Sequence, residues 1–308
     1  MNSATTPPIL VTGAAGRVGG TGRHVAAELI SRGLPVRAMV RRFDERSEEL
    51  RGMGIELVIG DFADYTSLVA ALEGIEAAYF CYPVGAGLTE AAGLFAAAGR
   101  KQDLRRIVDL SLDAAFPESQ SPQGRAQWVT EQIFEWAGFG GTHLRVAAFF
   151  MENLLGLHGQ QIRDLGEIRN SFGDFEPSWI ASADVGAIAA ALLADPGLVT
   201  DRTTNVGGAE RLSHTTIAEI IGKLTGRPVR YQTLTPEEWR DEMIAAGTAA
   251  GRTDPTVAAH LSAQSVALRE HSTHLVTDDI QRLTGHPAVR LKDFVERNRL
   301  SFEPRQVG

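Results

Sequence analysis

The chain has very little lysine. Only Lys101, Lys223 and Lys292 occur among 308 residues, and arginine carries nearly all the positive charge. Acids outnumber bases, 38 against 30, so the formal net charge is −8. A field of that sign gives no general support to a nucleic-acid partner. Cysteine is scarcer still. Cys81 stands alone, which excludes an intrachain disulfide and suits a reducing compartment, so the cytoplasm is the expected location. No apolar run approaches the roughly 18 residues of a membrane span. The opening "MNSATTPP" lacks the charged and apolar regions of a signal peptide, and no membrane partner is expected. Several chemistries fail on inventory. There is no G-x-S-x-G elbow and no H-E-x-x-H. His271 and His274 have no cysteine or acid cluster to complete a zinc set and read as surface residues. Arg105 and Arg106 make too small a patch for nucleic acid.

What the chain does have is an alternation of apolar runs and helical periods. "PILVT" (8–12), "PVRAMV" (35–40), "IELVI" (55–59), "AAYFC" (77–81), "RIVDL" (106–110) and "THLRV" (142–146) read as strands buried on both faces. Helical segments fall at about 21–32, 65–73, 88–100 and 122–137. Strand–helix alternation predicts a doubly wound α/β fold with a parallel sheet and helices on both faces. After about residue 150 the rhythm changes. Helices are expected over 182–196, with Ser182 as N-cap, over 213–226, over 235–247 and near the end, and short strands at 203–208 and in "PVRYQTL". This half reads as a smaller, mostly helical cap on the sheet.

Glycines crowd the seam between the first strand and the first helix: Gly13, Gly16, Gly19, Gly20 and Gly22. Glycine costs conformational entropy and packs nothing, so the bare backbone must serve a purpose. Gly13, Gly16 and Gly19 give G-x-x-G-x-x-G. After a strand and before a helix, that spacing turns the chain sharply and brings a pyrophosphate against free N–H groups at the helix N-terminus. Ala15, Arg17 and Val18 lie in the same loop, and Arg17 is within reach of the phosphates. At the end of the second strand an acid would bind the ribose hydroxyls of NAD, and a base the 2′-phosphate of NADP. "MVRRF" places Arg41 and Arg42 there, which favours NADP. Asp44 and Glu45 follow and keep NAD as the weaker choice. Cys81, Tyr82 and Pro83 close the fourth strand, beside the expected nicotinamide ribose; Cys81 is read as a buried apolar residue rather than a nucleophile.

"TGAAGRVG", "VRAMVRR", "GDF" and "GTHLRVAAFFMENL" together resemble the NmrA-like group of atypical short-chain dehydrogenases/reductases. The likeness continues into "TTNVGGAERLSHTTIAEIIGKLTGRPVRY" and "RLTGHPAVRLKDFVERN" and covers most of the chain. The resemblance implies a Rossmann domain over 1–150 and a smaller substrate-binding region over 151–308, partly interleaved with the sheet. Against the family pattern, Gly20, Thr21 and Gly22 stand as an insertion before "RHV". The resemblance places Asp61 and Phe62 against the adenine. It places Phe150 and Asn153, from the Phe-x-x-Asn ending of "FFMEN", at the cofactor end. Trp179 is expected to add an aromatic wall to a mostly apolar substrate pocket.

The usual Tyr-x-x-x-Lys of this superfamily is absent. Four residues after Tyr65, Tyr79, Tyr82 and Tyr231 stand Val69, Pro83, Ala86 and Thr235. The resemblance offers a substitute slot, a Lys or His eleven residues before the glycine that ends the helix after the fifth strand. That glycine is Gly138, so the slot holds Gln127. Glutamine orients ligands but does not titrate. Asp113 is the nearest titratable alternative. The expected activity is NADPH-dependent reduction of a small apolar carbonyl, enone or quinone by a monomer or homodimer. The alternative is a non-catalytic NAD(P)-sensing regulator that acts through a protein partner.

Overall fold

The computed structural model describes residues 6–16, 20–251, 254–271 and 275–304. Its first half alternates strand and helix: β1 Ile9–Val11, α1 Thr21–Ser31, β2 Val36–Val40, α2 Glu45–Gly52, β3 Glu56–Ile59, α3 Tyr65–Ala71, β4 Ala77–Phe80, α4 Leu88–Lys101, β5 Arg106–Leu112, α5 Pro122–Ala137 and β6 Gly140–Val146. The second half holds β7 Phe149–Phe150, α6 Asn153–Gly156, α7 Gly159–Leu165, β8 Glu167–Asn170, β9 Ser178–Ile180, α8 Ser182–Ala194, β10 Thr203–Val206, β11 Glu210–Arg211, α9 His214–Thr225, β12 Arg230–Thr233, α10 Pro236–Ala249, α11 Thr256–His271, α12 Asp279–Thr284 and α13 Leu291–Arg297.

Seven strands form one parallel sheet in the order β10-β6-β5-β4-β1-β2-β3. The strand order reverses between β1 and β4, and in open α/β sheets ligands bind outside the carboxyl ends at such a switch point. Local signals explain most element starts. Asp44 opens α2 through a capping box with Ser47, Ser121 caps α5 ahead of Pro122, and Thr235 and Glu238 form a capping box on α10. The side chains of Leu10, Phe80 and Phe95 are fully buried. Each contributes about 1.5–3 kcal/mol on transfer from water.

Two expectations change. β3 is not buried on both faces: it lies at the sheet edge, and Glu56 and Ile59 are exposed. From the second half, β10 extends the main sheet and α8 packs along α1. Helix α8 is buried on nearly every side, which accounts for its run of alanine, isoleucine and leucine. Ser182 is not its N-cap. Ala181 holds that position, and the Ser182 N–H is received by the Glu152 carboxylate instead.

The rest of the second half encloses a separate apolar core. Phe149, Phe172, Trp179, Trp239 and Phe294 are buried there, among others. Among the described residues no helix is long and apolar enough to cross a membrane.

Candidate nucleotide and substrate site

The switch point is built around Thr12. This last residue of the first apolar run accepts a hydrogen bond from the Cys81 N–H at 2.8 Å, and its hydroxyl lies 3.2 Å from the carbonyl oxygens of Tyr79 and Cys81. The ends of β1 and β4 are thereby held together. Gly13 follows with φ +74°, and a Cβ there would lie 3.4 Å from the Cys81 sulfur. The Gly16 N–H returns to the Gly13 carbonyl at 3.0 Å, closing a tight turn.

Of Gly20, Thr21 and Gly22, the three residues set against the family pattern, two lie within the first helix. Thr21 is the first residue of α1, and Gly22 sits in its first turn. A Cβ on Gly22 would stand 2.5 Å from the Thr12 oxygen and 2.7 Å from the Gly13 carbonyl carbon. This is the position where the helix must approach the strand end most closely. Arg17, Val18 and Gly19 lie outside the described residues.

The helix termini supply the second part of the site. Asp44, Asp64 and Ser121 cap α2, α3 and α5 through their side chains. The two helices that flank the switch point, α1 and α4, instead start from Gly20 and Gly87 and have no side-chain cap. Helix α1 has no acid in its first turn. Among the described residues, then, no side chain caps the leading N–H groups of α1. This arrangement fits a dinucleotide pyrophosphate.

At the end of β2, Arg41 and Arg42 are exposed. Arg42 stands 3.7 Å from Asp44. The sequence reading missed Arg46. Its Nη1 donates to the Ala15 carbonyl of the glycine loop at 2.6 Å, and its Nη2 donates to Asp44 at 2.9 Å. Arg46 thus spans the gap between the loop and β2. The hydrogen bond from Arg46, followed by that from the Ser47 N–H, holds the Asp44 carboxyl below its usual range. Asp44 is thereby committed to Arg46 and to capping α2. The one available signal was that a capping aspartate two residues before an arginine leaves the acid engaged.

On the other side of the crevice, the Asp61 carboxylate receives the Ala63 N–H at 3.0 Å in a local turn. Phe62 packs edge-on against Phe80 and Tyr82, with centroids 5.4 and 5.3 Å away. The Tyr82 hydroxyl donates to the Ala86 carbonyl. Pro83 is exposed at the start of that loop. The Cys81 thiol is pushed up to about 11 by burial, which keeps it protonated and unreactive.

Gln127 is engaged by its own neighbours. It is buried, and its amide nitrogen lies 3.4 Å from both oxygens of Asp109 and 3.1 Å from the Leu110 carbonyl. The slot that was to orient a substrate is spent on an internal network. Asp109 also meets His143 Nδ1 at 3.2 Å, and His143 Nε2 meets Glu135 at 3.3 Å. Beside them Glu131 receives Ser111 at 2.5 Å and Arg145 at 2.9 Å. Burial pushes the Asp109 carboxyl up. Burial alone would lower His143, but the hydrogen bond and charge of Asp109, with Glu131 and Glu135, outweigh it and raise its pKa. Asp113 lies just past β5, half-buried, with its N–H on the Val146 carbonyl and its charge near Arg145.

Phe150 and Asn153 are half-buried where β7 leads into α6. Trp179 is not an open wall. It is 2% exposed, its indole N–H donates to the Leu212 carbonyl at 2.9 Å, and it packs in the second core. His271 and His274, read as surface residues, lie outside the described side chains. Among the described residues no group of three or more His, Cys, Asp or Glu is placed to hold a metal ion.

A family model described as NAD(P)H-binding matches residues 13–147. The chain is 30% identical over 299 residues to a (4-alkanoyl-5-oxo-2,5-dihydrofuran-3-yl)methyl phosphate reductase of Streptomyces griseus, covering 96% of this chain and 99% of that protein. It is 28% identical over 294 residues to an NAD(P)H azoreductase of Xenophilus azovorans, with 96% and 99% covered. Its fold matches that of an NADPH-dependent quinone oxidoreductase of Escherichia coli, solved with NADPH, at a TM-score of 0.80, 22% identity and coverage of 94% and 99%. With its switch-point crevice, uncapped α1 and lack of Tyr-x-x-x-Lys, the chain belongs to the NmrA-like family of atypical short-chain dehydrogenases/reductases.

Proposed function

We propose that the protein is an NADPH-dependent oxidoreductase that reduces a small apolar carbonyl, enone or quinone, with quinones preferred. The observation that carries the preference is the inward turn of Gln127 onto Asp109. The usual acid is absent, and the substitute slot offers the acceptor neither a proton nor a contact. A quinone suits such a site, because solvent can protonate its reduced oxygens. The names of the relatives, an azoreductase, a reductase of a phosphorylated furanone and a quinone oxidoreductase, are all those of reductases, and the last names a quinone.

The first turn of α1 and the Gly13–Gly16 turn would hold the pyrophosphate. Arg41, Arg42 and Arg46 would hold a 2′-phosphate, and the commitment of Asp44 to Arg46 weakens the case for NAD. Asp61 and Phe62 are proposed at the adenine, and Cys81, Tyr82 and Pro83 at the nicotinamide ribose. When bound, NADPH supplies the hydride. The chain's own contribution is to orient the two reactants and exclude water. Phe150 and Asn153 are proposed at the acceptor, in the smaller region after residue 150. The lone thiol supports a cytoplasmic location, and a monomer or homodimer is the proposed state.

The test is NADPH oxidation, followed by its absorbance, against a panel of quinones and enones. Turnover highest with quinones is expected. Tight NADP binding with no turnover on any acceptor would overturn this reading in favour of a nucleotide-sensing regulator. That alternative has one observation behind it, the same inward-facing Gln127.

A further inference from the structure

The segment that carries Phe150 and Asn153 has little structure of its own. Strand β7 has two residues and α6 has four. It is anchored from one side by pairing of β7 with β9 and by the Met151 N–H on the Ile180 carbonyl at 2.9 Å. On the other side stands Glu152. Both of its carboxylate oxygens lie 3.1 Å from the N–H of Ser182, the first residue of α8. A helix ordinarily takes its cap from its own N-cap residue. Here that residue is Ala181, which has nothing to offer, and a carboxylate from a different segment does the work.

The direction of α8 shows why this link matters. A Cβ on Gly186 would lie 2.4 Å from the Cβ of His24, so α8 touches α1 just past the first turn of α1. At its far end, the Leu193 carbonyl receives both terminal nitrogens of Arg106, the first residue of β5. Helix α8 therefore runs from the carboxyl edge of the sheet to its amino edge, beside α1. Its N-terminus sits next to the start of α1, at the nucleotide crevice. Asp184, in the same first turn, is turned away and receives the Val289 N–H at 2.9 Å. Glu152 is thus the acid that joins the Phe150–Asn153 segment to the helix end at the crevice.

We propose that Glu152 is a positioning residue for the acceptor. Its carboxylate clamps the Phe150–Asn153 segment to the N-terminus of α8 and so fixes that segment against the nucleotide crevice. The clamp is a charge-assisted hydrogen bond reinforced by the partial positive charge of the helix N-terminus. This inference rests on the reductase reading, because it assigns the segment to the acceptor.

The test uses the full chain with Glu152→Ala and Glu152→Gln. Glutamine keeps one acceptor oxygen for the Ser182 N–H but loses the charge. Hydrogen exchange of the NADP-bound protein reads the clamp without turnover. In Glu152→Ala, amides of 149–156 and 182–186 should exchange about tenfold faster or more, with Glu152→Gln in between, while amides of β1 and β2 stay unchanged. Steady-state kinetics read the positioning. The quinone KM should rise about tenfold in Glu152→Ala and be partly restored in Glu152→Gln, with the NADPH KM held near its wild-type value. Unchanged exchange in both segments would overturn the clamp, whatever the activity. Faster exchange with an unchanged quinone KM, or an equal rise in both KM values, would overturn the positioning role. Faster exchange in a protein whose wild type reduces no acceptor would remove the reductase reading while the clamp itself stood.

Discussion

The two halves of the molecule bury histidine in opposite ways. In the nucleotide-binding half, His143 sits between Asp109 and Glu135, and its pKa is raised. In the second half, His158 and His260 are pushed down to about 4 by burial, and His214 is pushed well below its ordinary value. His214 stacks between Phe172 and Tyr231 at 5.3 and 5.5 Å, and among the described residues its Nδ1 has no partner. His260 instead meets the Ser121 hydroxyl at 2.7 Å. A sheet interior that keeps charge must pair it, because an unpaired buried charge costs several kcal/mol. An aromatic core can hold imidazole only as the neutral form. The paired His143 therefore gains from a proton that the histidines of the second core cannot accept, whereas half-buried His24 on α1, without an acid beside it, is lowered by burial and by Arg23.

The strongest way to break this contrast is to remove the charge partner in the first half. Asp109→Ala leaves His143 and the Gln127 amide facing an empty, buried place. The expected loss is about 3–5 kcal/mol, read from urea unfolding at neutral pH. His214→Leu in the second half removes a neutral ring of similar bulk, and the expected cost is below about 1.5 kcal/mol. Equal costs would show that Asp109 and His143 are not acting as a charged pair.

Acid sharpens the contrast next. The unfolded chain binds a proton at each histidine near pH 6.5, whereas folded His158 and His260 bind theirs only near pH 4. Each therefore withdraws stability as the pH falls through that window, by about 2 kcal/mol each at pH 5. His143, with its raised pKa, contributes stability that is present below about pH 6.5 and is lost as the pH rises through its folded value. Hydrogen-exchange protection factors, which correct for the slower intrinsic exchange at low pH, should fall between pH 8 and pH 5 in α7, α9 and α11 before they do in β5 and β6. Uniform loosening of both halves would contradict the assignment.

A smaller effect separates the rim of the first half from its interior. Arg46→Ala should weaken NADP binding about tenfold to a hundredfold, as expected for loss of one charge-assisted contact, and weaken NAD less in calorimetry, through the lost hold on the Ala15 carbonyl alone. Arg41→Ala and Arg42→Ala, at more exposed side chains, should each cost less. The smallest effect is expected at Gln127→His. The new imidazole would face Asp109 rather than the crevice, so quinone turnover should change by less than about tenfold. A rise of a hundredfold or more, within the range of general acid catalysis, would place position 127 in the site after all.

Much of this half was legible in advance because its signals are local. Strands β1 to β6 and helices α1, α3, α4 and α5 follow from apolar runs, caps and glycine stops that act within a few residues. Helix α2 was missed because its sequence is almost wholly polar and offers no apolar period, only the Asp44–Ser47 capping box. The second half was harder to read. β7, β8, β9 and β11 have two to four residues each and exist because they find partners far along the chain.

By itself the sequence determined that a strand-to-glycine-to-helix turn begins the chain's fold, that two arginines stand directly after β2, and that the Tyr-x-x-x-Lys acid is missing. Each is a matter of residue type at a short spacing. Only the tertiary structure decided where side chains with two possible directions point. Gln127 turns inward because Asp109, buried on a neighbouring strand, needs a hydrogen-bond donor. Trp179 belongs to the core because its indole N–H has the Leu212 carbonyl to meet. Ser182 is the first helical residue rather than the cap, and its N–H meets a carboxylate from the β7–α6 segment. These outcomes depend on partners 18, 33 and 30 residues away, which no local pattern encodes.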